Sequence, residues 1–529
     1  MSASTQQITP NQHRHLSPWR VMLGIFILAL AATGLFFGTQ RWQDIQANSS
    51  SSPWFASYVD VTATPTFPFE KMGAGAKKDV ILSFIVSASS DPCSPTWGNA
   101  YTLNQAGESL DLDRRIARLR QQGGSVAVSF GGLRNNELSL RCTDEAKLYQ
   151  AYKSVIDRYE INTIDLDLEG DSLNDTAAGI RRAKVIAKLQ SDWRNNGESL
   201  AVWTTLPVTP QGLSEAGTNS IGHLLANKVD LTGVNAMTMD YGESRPKDQS
   251  MQAAAESALT QVERQLNILY KRTGTHLTSA TVWSKVGATP MIGQNDIPDE
   301  IFTLDDAKGL NAFALARGVG RMSMWSANRD TTCGSNYINL KVVSDSCSGI
   351  KQDGKSFAEL LGEGFNGSLA MNAAGVTTSN ALDPSQIKDD PATSPYQIWS
   401  PEGAYLKGTK VVWHRTVYEA KWWTQGDLPD SPVLQSWETP WQLVGPVMPG
   451  EKPQPQATLP EGTYPHWSGN DQYNTSARVL FNGVPYQAKW WTQGDSPAAA
   501  SSNADSSPWA PLTQAQIDDV VRSLQKPKE

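Results

Sequence analysis

The 529-residue sequence has few cysteines, no excess of basic charge and no glycine-rich nucleotide loop. The formal net charge is −8 and no basic stripe occurs, which argues against a nucleic-acid partner. No two cysteines have the C-x-x-C spacing of a zinc site, so we expect no metal, and we expect no cofactor. The four cysteines are Cys93, Cys142, Cys333 and Cys347.

An even number of cysteines is compatible with two disulfides if the body of the protein lies outside the cytoplasm. Proximity along the chain pairs Cys93 with Cys142 and Cys333 with Cys347. Four reduced thiols are the alternative.

A single long apolar run lies near the N-terminus. Val21 to Gly38 contains 18 residues without a charge and follows Arg14 and Arg20. This length and the preceding positive charge predict a transmembrane signal-anchor with residues 1–20 in the cytoplasm and the body outside. The alternative is a cleaved signal peptide and a secreted protein. Residues 39–53 form a predicted linker.

From residue 54 onward, β-rich runs alternate with helical patterns. The predicted strands cover 55–61, 79–86, 125–132, 163–170, 199–208, 229–242, 279–293 and 320–326. The predicted helices include 144–159, 179–194, 251–272 and 304–316. Eight strands alternating with helices predict an α/β fold, a (β/α)8 TIM barrel over residues 54–385. An open doubly wound sheet is the alternative, but no nucleotide loop follows its first strand.

The segment Ile161 to Gly170 (INTIDLDLEG) alternates Asp165, Asp167 and Glu169 with apolar residues. Alternation predicts a strand with three carboxylates on one face. Mutual repulsion and burial disfavour the charged forms, so at least one carboxyl should hold a proton near neutral pH. Such a group can protonate a leaving group. The alternative is an exposed acidic edge, or carboxylates paired with Arg or Lys.

The last third of the chain contains a duplication. Residues 418–427 (YEAKWWTQGD) recur at 486–495 with a single change, Glu419 to Gln487. A unit this small has a thin core and cannot bury all of its Trp and Tyr, so some should form exposed platforms suited to sugar rings. Two Trp-cored structural modules are the alternative. The predicted segments are 395–446 (first repeat), 447–460 (Pro-rich linker), 461–513 (second repeat) and 514–529 (tail).

The acidic strand resembles the signature of glycoside hydrolase family 18, the chitinase family, with the pattern D-x-x-D-x-D-x-E. Asn162 replaces the first Asp, and the last three carboxylates are kept. Three more segments are similar to family motifs and end predicted strands three, six and eight. They are Ser129-Phe130-Gly131-Gly132 (S-x-G-G), Met239-Asp240-Tyr241 (M-x-Y) and Trp325. The Asp that usually follows the Tyr is Gly242 here.

The resemblance implies substrate-assisted catalysis, in which the sugar's own 2-acetamido oxygen attacks C1. Glu169 would protonate the glycosidic oxygen and then activate water. Asp167 would bind the acetamido N–H and share a proton with Asp165. Tyr241 would donate to the acetamido oxygen, and Trp325 would stack under the sugar. The other implied substrate-site residues are Ser129, Gly131, Gly132, Met239 and Asp240.

The repeats resemble chitin-binding modules of carbohydrate-binding family 5/12, for which A-K-W-W-T-Q-G is characteristic. The resemblance implies exposed sugar-binding aromatics and a separate set of core aromatics. The sugar-binding set is Trp422, Trp423, Trp490 and Trp491. The core set is Trp399, Trp441, Trp467 and Trp509.

These resemblances predict an enzyme that hydrolyses chitin and binds chitin or N-acetylglucosamine oligomers, located outside the cytoplasm. One alternative is an endo-N-acetylglucosaminidase that acts on glycoprotein glycans. The other is a non-catalytic chitin-binding protein, for which loss of the acid would be the sequence sign. Glu169 is present.

Overall fold

A computed structural model describes residues 52–525, except 74–75, 336–341, 370–386, 402, 406, 449, 454–458, 482 and 498–506. The predicted anchor at 21–38 lies outside the described residues. Among the helices that are described, none has the length and apolar character needed to cross a membrane.

Eight parallel strands close into a barrel. They are β1 (Trp54–Asp60), β2 (Val80–Ser87), β3 (Val126–Gly131), β4 (Thr163–Asp167), β5 (Ala201–Thr209), β6 (Leu231–Met237), β7 (Val286–Thr289) and β8 (Arg321–Met324). Each strand pairs in parallel with the next, and β8 pairs with β1. The predicted TIM barrel is therefore confirmed.

Helices surround the barrel. They are α1 (Leu103–Ser109), α2 (Leu112–Gln121), α3 (Leu138–Arg141), α4 (Glu145–Tyr159), α5 (Gly170–Asn174), α6 (Thr176–Asn195), α7 (Glu215–Ala226), α8 (Met251–Arg272), α9 (Ser279–Ser284), α10 (Leu304–Arg317) and α11 (Phe357–Gly362). The four helices named from sequence all occur, each within three residues of its predicted ends.

The predicted strand at 279–293 is wrong in its first half. Residues Ser279–Ser284 form α9 because Thr278 caps the helix: Thr281 N donates to Thr278 Oγ1 at 3.2 Å. Val282 and Trp283 then pack into the barrel core from helical positions. An apolar, β-branched run of this length does not distinguish a short buried helix from a strand.

The alternation in β4 separates two environments. Ile164 and Leu166 join the apolar cluster between the strands and the surrounding helices. Asp165 and Asp167 face the opposite way, into the barrel, where Asp165 contacts residues of four other strands. The predicted strand therefore places Asp165 and Asp167 inside the barrel, toward the carboxyl end of β4.

Two disulfides join the cysteines as predicted. Cys93 bonds to Cys142, and Cys333 bonds to Cys347. The first connects the segment after β2 to the end of α3, and the second closes a short loop after β8.

The two repeats have the same strand plan. The first contains Ala404–Tyr405, Lys410–Trp413, Thr416–Ala420, Thr424–Gln425 and Trp441–Pro446; the second contains Gln472–Tyr473, Arg478–Phe481, Val484–Ala488, Thr492–Gln493 and Trp509–Pro511. Their central tryptophans make matching bonds, since Trp441 Nε1 donates to Asp427 O and Trp509 Nε1 to Asp495 O, both at 2.8 Å. A last helix, α12 (Gln514–Gln525), follows the second repeat.

Candidate active site

Two glycines at the end of β3 allow close packing around β4. Gly131 has φ +114°, and a Cβ there would lie 2.0 Å from the Asp167 carbonyl oxygen. Gly132 N donates to the same oxygen at 3.0 Å, and a Cβ on Gly132 would press on the Phe84 ring. The S-x-G-G segment therefore fixes the backbone of Asp167 and leaves room for Phe84.

Asp165 is surrounded by donors. Arg321 Nη1 and Thr205 Oγ1 donate to Oδ1, both at 2.7 Å. Tyr58 OH and Ser129 Oγ donate to Oδ2 at 2.7 and 2.8 Å. Asp165 and Arg321 are each 1% exposed. Both oxygens of the Asp165 carboxylate therefore already accept hydrogen bonds, one of them from a guanidinium.

The position of Asp165 changes the implied proton-sharing scheme. The resemblance placed a shared proton between Asp165 and Asp167. Because four donors occupy both oxygens of Asp165, neither oxygen is left to share a proton with Asp167. The sequence alternative of a carboxylate paired with Arg thus holds for Asp165 alone among the three acids.

Asp167 and Glu169 form a coupled pair at the carboxyl end of β4. Burial raises the pKa of Asp167 well above its ordinary value, with further contributions from the charges of Glu169 and Asp165. Burial also raises the pKa of Glu169 to about 7, and Asp240 and Asp296 add to the effect, against a hydrogen bond with Asp167. These raised pKa values favour a proton on the pair near neutral pH.

Asp167 Oδ1 is buried and has no hydrogen-bond partner among the described residues. Tyr241 OH, in a side chain 5% exposed, is likewise unpaired within the described part of the chain. Burial raises the pKa of Tyr241, so the hydroxyl keeps its proton. Asp167 Oδ1 and Tyr241 OH are thus an acceptor and a donor that a bound ligand could satisfy.

The loop after β6 is held by an acid that the sequence reading missed. Glu300 accepts hydrogen bonds from Tyr241 N and Gly242 N, both at 2.9 Å, and pairs with Arg245 Nε at 3.4 Å. Asp240, with φ +48°, accepts from Ile297 N at 3.2 Å. Glu300 therefore fixes the backbone that carries Tyr241.

Asp240 and Met239 lie in the same loop. Burial raises the pKa of Asp240 to about 6, with Asp296 as the next cause. Met239 is buried, at 9% exposure. The charge of Asp240 helps to raise the pKa of Glu169, whereas Met239 is a largely buried apolar residue of the loop.

Trp325 directly follows β8 and is half-buried. Its ring stacks on Phe84 at 5.5 Å with an interplanar angle of 22°, and Tyr58 lies 6.0 Å away. This contact joins the ends of β8, β2 and β1, and it leaves part of the indole accessible at the barrel mouth.

The barrel brings together the predicted residues of strands three, four, six and eight at one end. The exposed tryptophans of the repeats form a separate set on the repeat surfaces. Residues missed from sequence are Tyr58, Phe84, Thr205, Glu300 and Arg321. The sequence could have indicated Arg321, because it is the one charged residue in the run GRMSMWS. The other four have no distinguishing feature in the sequence.

The tryptophans of the repeats divide as predicted into exposed and packed sets. The exposed fractions are 45% for Trp422 and Trp490 and 54% for Trp423 and Trp491. The other four pack in the repeat cores: Trp399, Trp441, Trp467 and Trp509.

Comparison with known proteins extends these observations. The sequence model of the carbohydrate-binding module family 5/12 matches residues 466–510. The chain is 31% identical over 344 residues to a "Probable bifunctional chitinase/lysozyme" of Escherichia coli, covering 63% of this chain and 36% of that protein. It is 30% identical over 335 residues to "Endochitinase 11" of Metarhizium anisopliae, covering 61% of this chain and 59% of that protein.

Solved structures give a similar result. The catalytic domain of the hyperthermophilic chitinase from Pyrococcus furiosus has a TM-score of 0.50 and 26% sequence identity, covering 63% of this chain and 99% of that chain. The present chain spans between about one third and three fifths of the curated relatives described above. The barrel region is therefore similar to chitinases, and residues 466–510 match the carbohydrate-binding module family 5/12.

Proposed function

We propose that this protein is a chitinase that hydrolyses the β-1,4 linkages between N-acetylglucosamine units by substrate-assisted, retaining catalysis. The chitinase homologues of the barrel support the substrate class. The unused acceptor on Asp167 and the unused donor on Tyr241 carry the mechanistic part.

An acetamido group presents one N–H and one carbonyl oxygen. The N–H would donate to Asp167 Oδ1, and the carbonyl oxygen would accept from Tyr241 OH. Both buried groups would then gain the partners that they lack among the described residues. Held from both ends, the amide oxygen is oriented toward C1, so positioning replaces an enzyme nucleophile.

Glu169 is the proton donor in this proposal. With a pKa of about 7 it can hold a proton at neutral pH and still lose it to the glycosidic oxygen. After the leaving group departs, the carboxylate accepts a proton from water, which attacks C1 and opens the oxazolinium ring. Asp167 stabilises the positive charge of that intermediate.

The two repeats would bind chitin through Trp422, Trp423, Trp490 and Trp491, whose exposed rings suit the apolar faces of sugar rings. The family match to 466–510 supports this for the second repeat, and the duplicated sequence supports it for the first. The proposed units are a catalytic domain at 54–385 and modules at 395–446 and 461–513.

The proposed location of the catalytic body is outside the cytoplasm. The two disulfides support an oxidising compartment. Anchoring through residues 21–38 remains a prediction from sequence. Fractionation of cells that express the full chain, with N-terminal sequencing of the product, distinguishes an anchored protein from a secreted one.

The decisive experiment is hydrolysis of chitotetraose and colloidal chitin by wild type and by Glu169→Gln. We expect activity to fall by roughly 10²–10⁴-fold, the usual contribution of a positioned acid. Glu198→Gln, an identical change at an exposed site before β5, is the control and should leave activity unchanged. A Glu169→Gln activity within about tenfold of wild type would contradict the assigned role.

The same assays test the two alternatives. Release of glycan from a high-mannose glycoprotein without action on chitin would identify an endo-N-acetylglucosaminidase. Chitin binding without hydrolysis of either substrate by the wild type would identify a binding protein.

A further inference from the structure

A short segment of the first repeat lies against the barrel. We call residues 432–435 (Pro-Val-Leu-Gln) the docking segment. Arg264 of α8 donates to Val433 O at 2.6 Å and to Leu434 O at 2.9 Å. Gln265 Nε2 donates to Leu434 O at 3.0 Å. The backbone of the segment is thus held by side chains of one barrel helix.

Side chains of the docking segment also contact the barrel. Leu434 packs against the barrel's main apolar cluster. Gln435 is 5% exposed, and with its amide oriented to satisfy both atoms it bonds to Leu213 O and Glu215 N at 3.1 and 3.2 Å. These contacts join the segment to the start of α7 as well as to α8. Apolar burial combined with satisfied polar groups is typical of a stable interface rather than a passing encounter.

The second repeat lacks the residues that make these contacts. Aligning the repeats on their shared sequence places Ser501, Ser502 and Asn503 at the positions of Val433, Leu434 and Gln435. Serine cannot replace the apolar packing of leucine. The chain therefore carries one repeat whose sequence suits docking and one whose sequence does not.

Trp437 marks a second difference. It is the second residue after the docking segment, in the short 3-10 helix Ser436–Glu438, and is 62% exposed. Lys421 Nζ donates to Ser436 O and lies 4.8 Å from the centre of the Trp422 ring. Lys421 therefore connects Trp422 to the residue before Trp437. In the second repeat, Asp505 occupies the position of Trp437.

We propose that the docking segment fixes the first repeat on the barrel as a permanent polymer-binding surface, and that Trp437 is a third aromatic contact of this surface for a chain of β-1,4-linked N-acetylglucosamine. This inference rests on the proposed function. A fixed surface loses little further freedom when the polymer binds, so its contacts add to those of the catalytic domain. The second repeat, without the docking residues, serves as a separate point of capture.

The docking part of the proposal is tested in the full-length protein with Leu434→Ser. Serine is the residue that the second repeat has at this position, as Ser502. Leu428→Ser is the matched control, because Leu428 is 47% exposed in the same loop and the second repeat has Ser496 there. We expect Leu434→Ser to increase hydrogen exchange in α8, to raise the radius of gyration measured by small-angle scattering, and to lower activity on solid chitin severalfold. Leu428→Ser should change none of these.

The triple change of residues 433–435 to Ser-Ser-Asn should give a larger response of the same kind. Hydrolysis of chitotetraose should stay at the wild-type level in all three variants, which also reports that the barrel is folded. Unchanged hydrogen exchange and scattering in the triple variant would overturn the docking proposal. Absence of chitotetraose hydrolysis by the wild type would instead count against the proposed function.

The aromatic part is tested with Trp437→Asp, which installs the residue of the second repeat. We expect binding to insoluble chitin to weaken by roughly fivefold or more, the lower end of the loss for one aromatic stacking platform. Binding equal to that of wild type, with the scattering profile unchanged, would show that Trp437 does not contact the polymer.

Discussion

The barrel mouth and the surfaces of the repeats use aromatic side chains in opposite ways. At the mouth, Tyr241 is 5% exposed and Trp325 is half-buried against Phe84. On the repeats, Trp423 and Trp491 are each 54% exposed. Bond cleavage needs a site in which burial shifts the pKa values of the acids, whereas adhesion to a solid needs rings that reach it without rearrangement.

This contrast separates the effects of mutations. Changes at the barrel mouth should affect soluble and solid substrates alike. Changes on the repeats should affect solid chitin only. The three predictions below test that separation, in order of decreasing effect.

The largest effect is expected for Tyr241→Phe, which removes only a hydroxyl. Hydrolysis of chitotetraose should fall by about 10²-fold, because the amide oxygen loses the donor that orients it. Stability should not fall, since this buried hydroxyl has no partner among the described residues to lose. Kinetics and thermal unfolding of the same sample measure both effects.

Tyr159→Phe is the matched control on the outer side of the barrel. Trp97 Nε1 donates to Tyr159 OH at 2.8 Å, and Trp97 is fully buried. This variant should lose about 1–3 kcal/mol of stability through the unpaired indole N–H, with kcat unchanged. If both Tyr→Phe variants behaved alike, Tyr241 would have a structural role only.

A smaller effect is expected on the pH profile. Wild-type activity should decline above about pH 7 as Glu169, with a pKa of about 7, loses its proton. In Arg321→Met the positive charge that lowers the pKa of Asp167 is gone, so that pKa rises further. The acidic limb of the kcat/KM profile should therefore move to higher pH, by about one unit or more.

Arg321→Met also leaves Asp165 as a buried charge without its partner, which should cost about 3–5 kcal/mol of stability. The midpoint of the acidic limb separates the change in the pKa of Asp167 from the loss of stability. Partial unfolding alone lowers the activity at every pH and leaves that midpoint unchanged. Arg321→Lys retains the charge and should restore the midpoint. An acidic limb at the wild-type position in Arg321→Met would show that Arg321 does not set the charge of the acid pair.

The smallest effect is expected on the second repeat. Trp490→Ala with Trp491→Ala should weaken binding to solid chitin by about fivefold or more, with chitotetraose hydrolysis unchanged. Pull-down on insoluble chitin and a soluble-substrate assay measure the two quantities. An equal loss on both substrates would remove the distinction between mouth and surface.

Patterns local in sequence predicted most of the fold and the central acids. The alternation of β4 placed Asp165, Asp167 and Glu169 correctly, because strand parity alone decides which side chains face the barrel interior. The small size of each repeat predicted that some aromatic side chains are exposed, and the resemblance to family 5/12 modules indicated which tryptophans those are. The error at 279–293 arose where a cap at Thr278 outweighed an apolar, β-branched run.

The partners of the acids could not be read from the sequence. Arg321 lies 156 residues from Asp165 along the chain, and Tyr58 lies 107 residues away. Closure of the barrel brings them together, and no local pattern records that contact. The set of donors that occupies both oxygens of Asp165 therefore required the structure.

The most direct test of the account is the anomeric form of the first product. Proton NMR of chitotetraose hydrolysis, recorded before mutarotation, should show the β-anomer at the new reducing end, because attack by the acetamido oxygen and then by water inverts C1 twice. Initial release of the α-anomer would mean a single displacement by water, and would contradict the roles given to Asp167 and Tyr241.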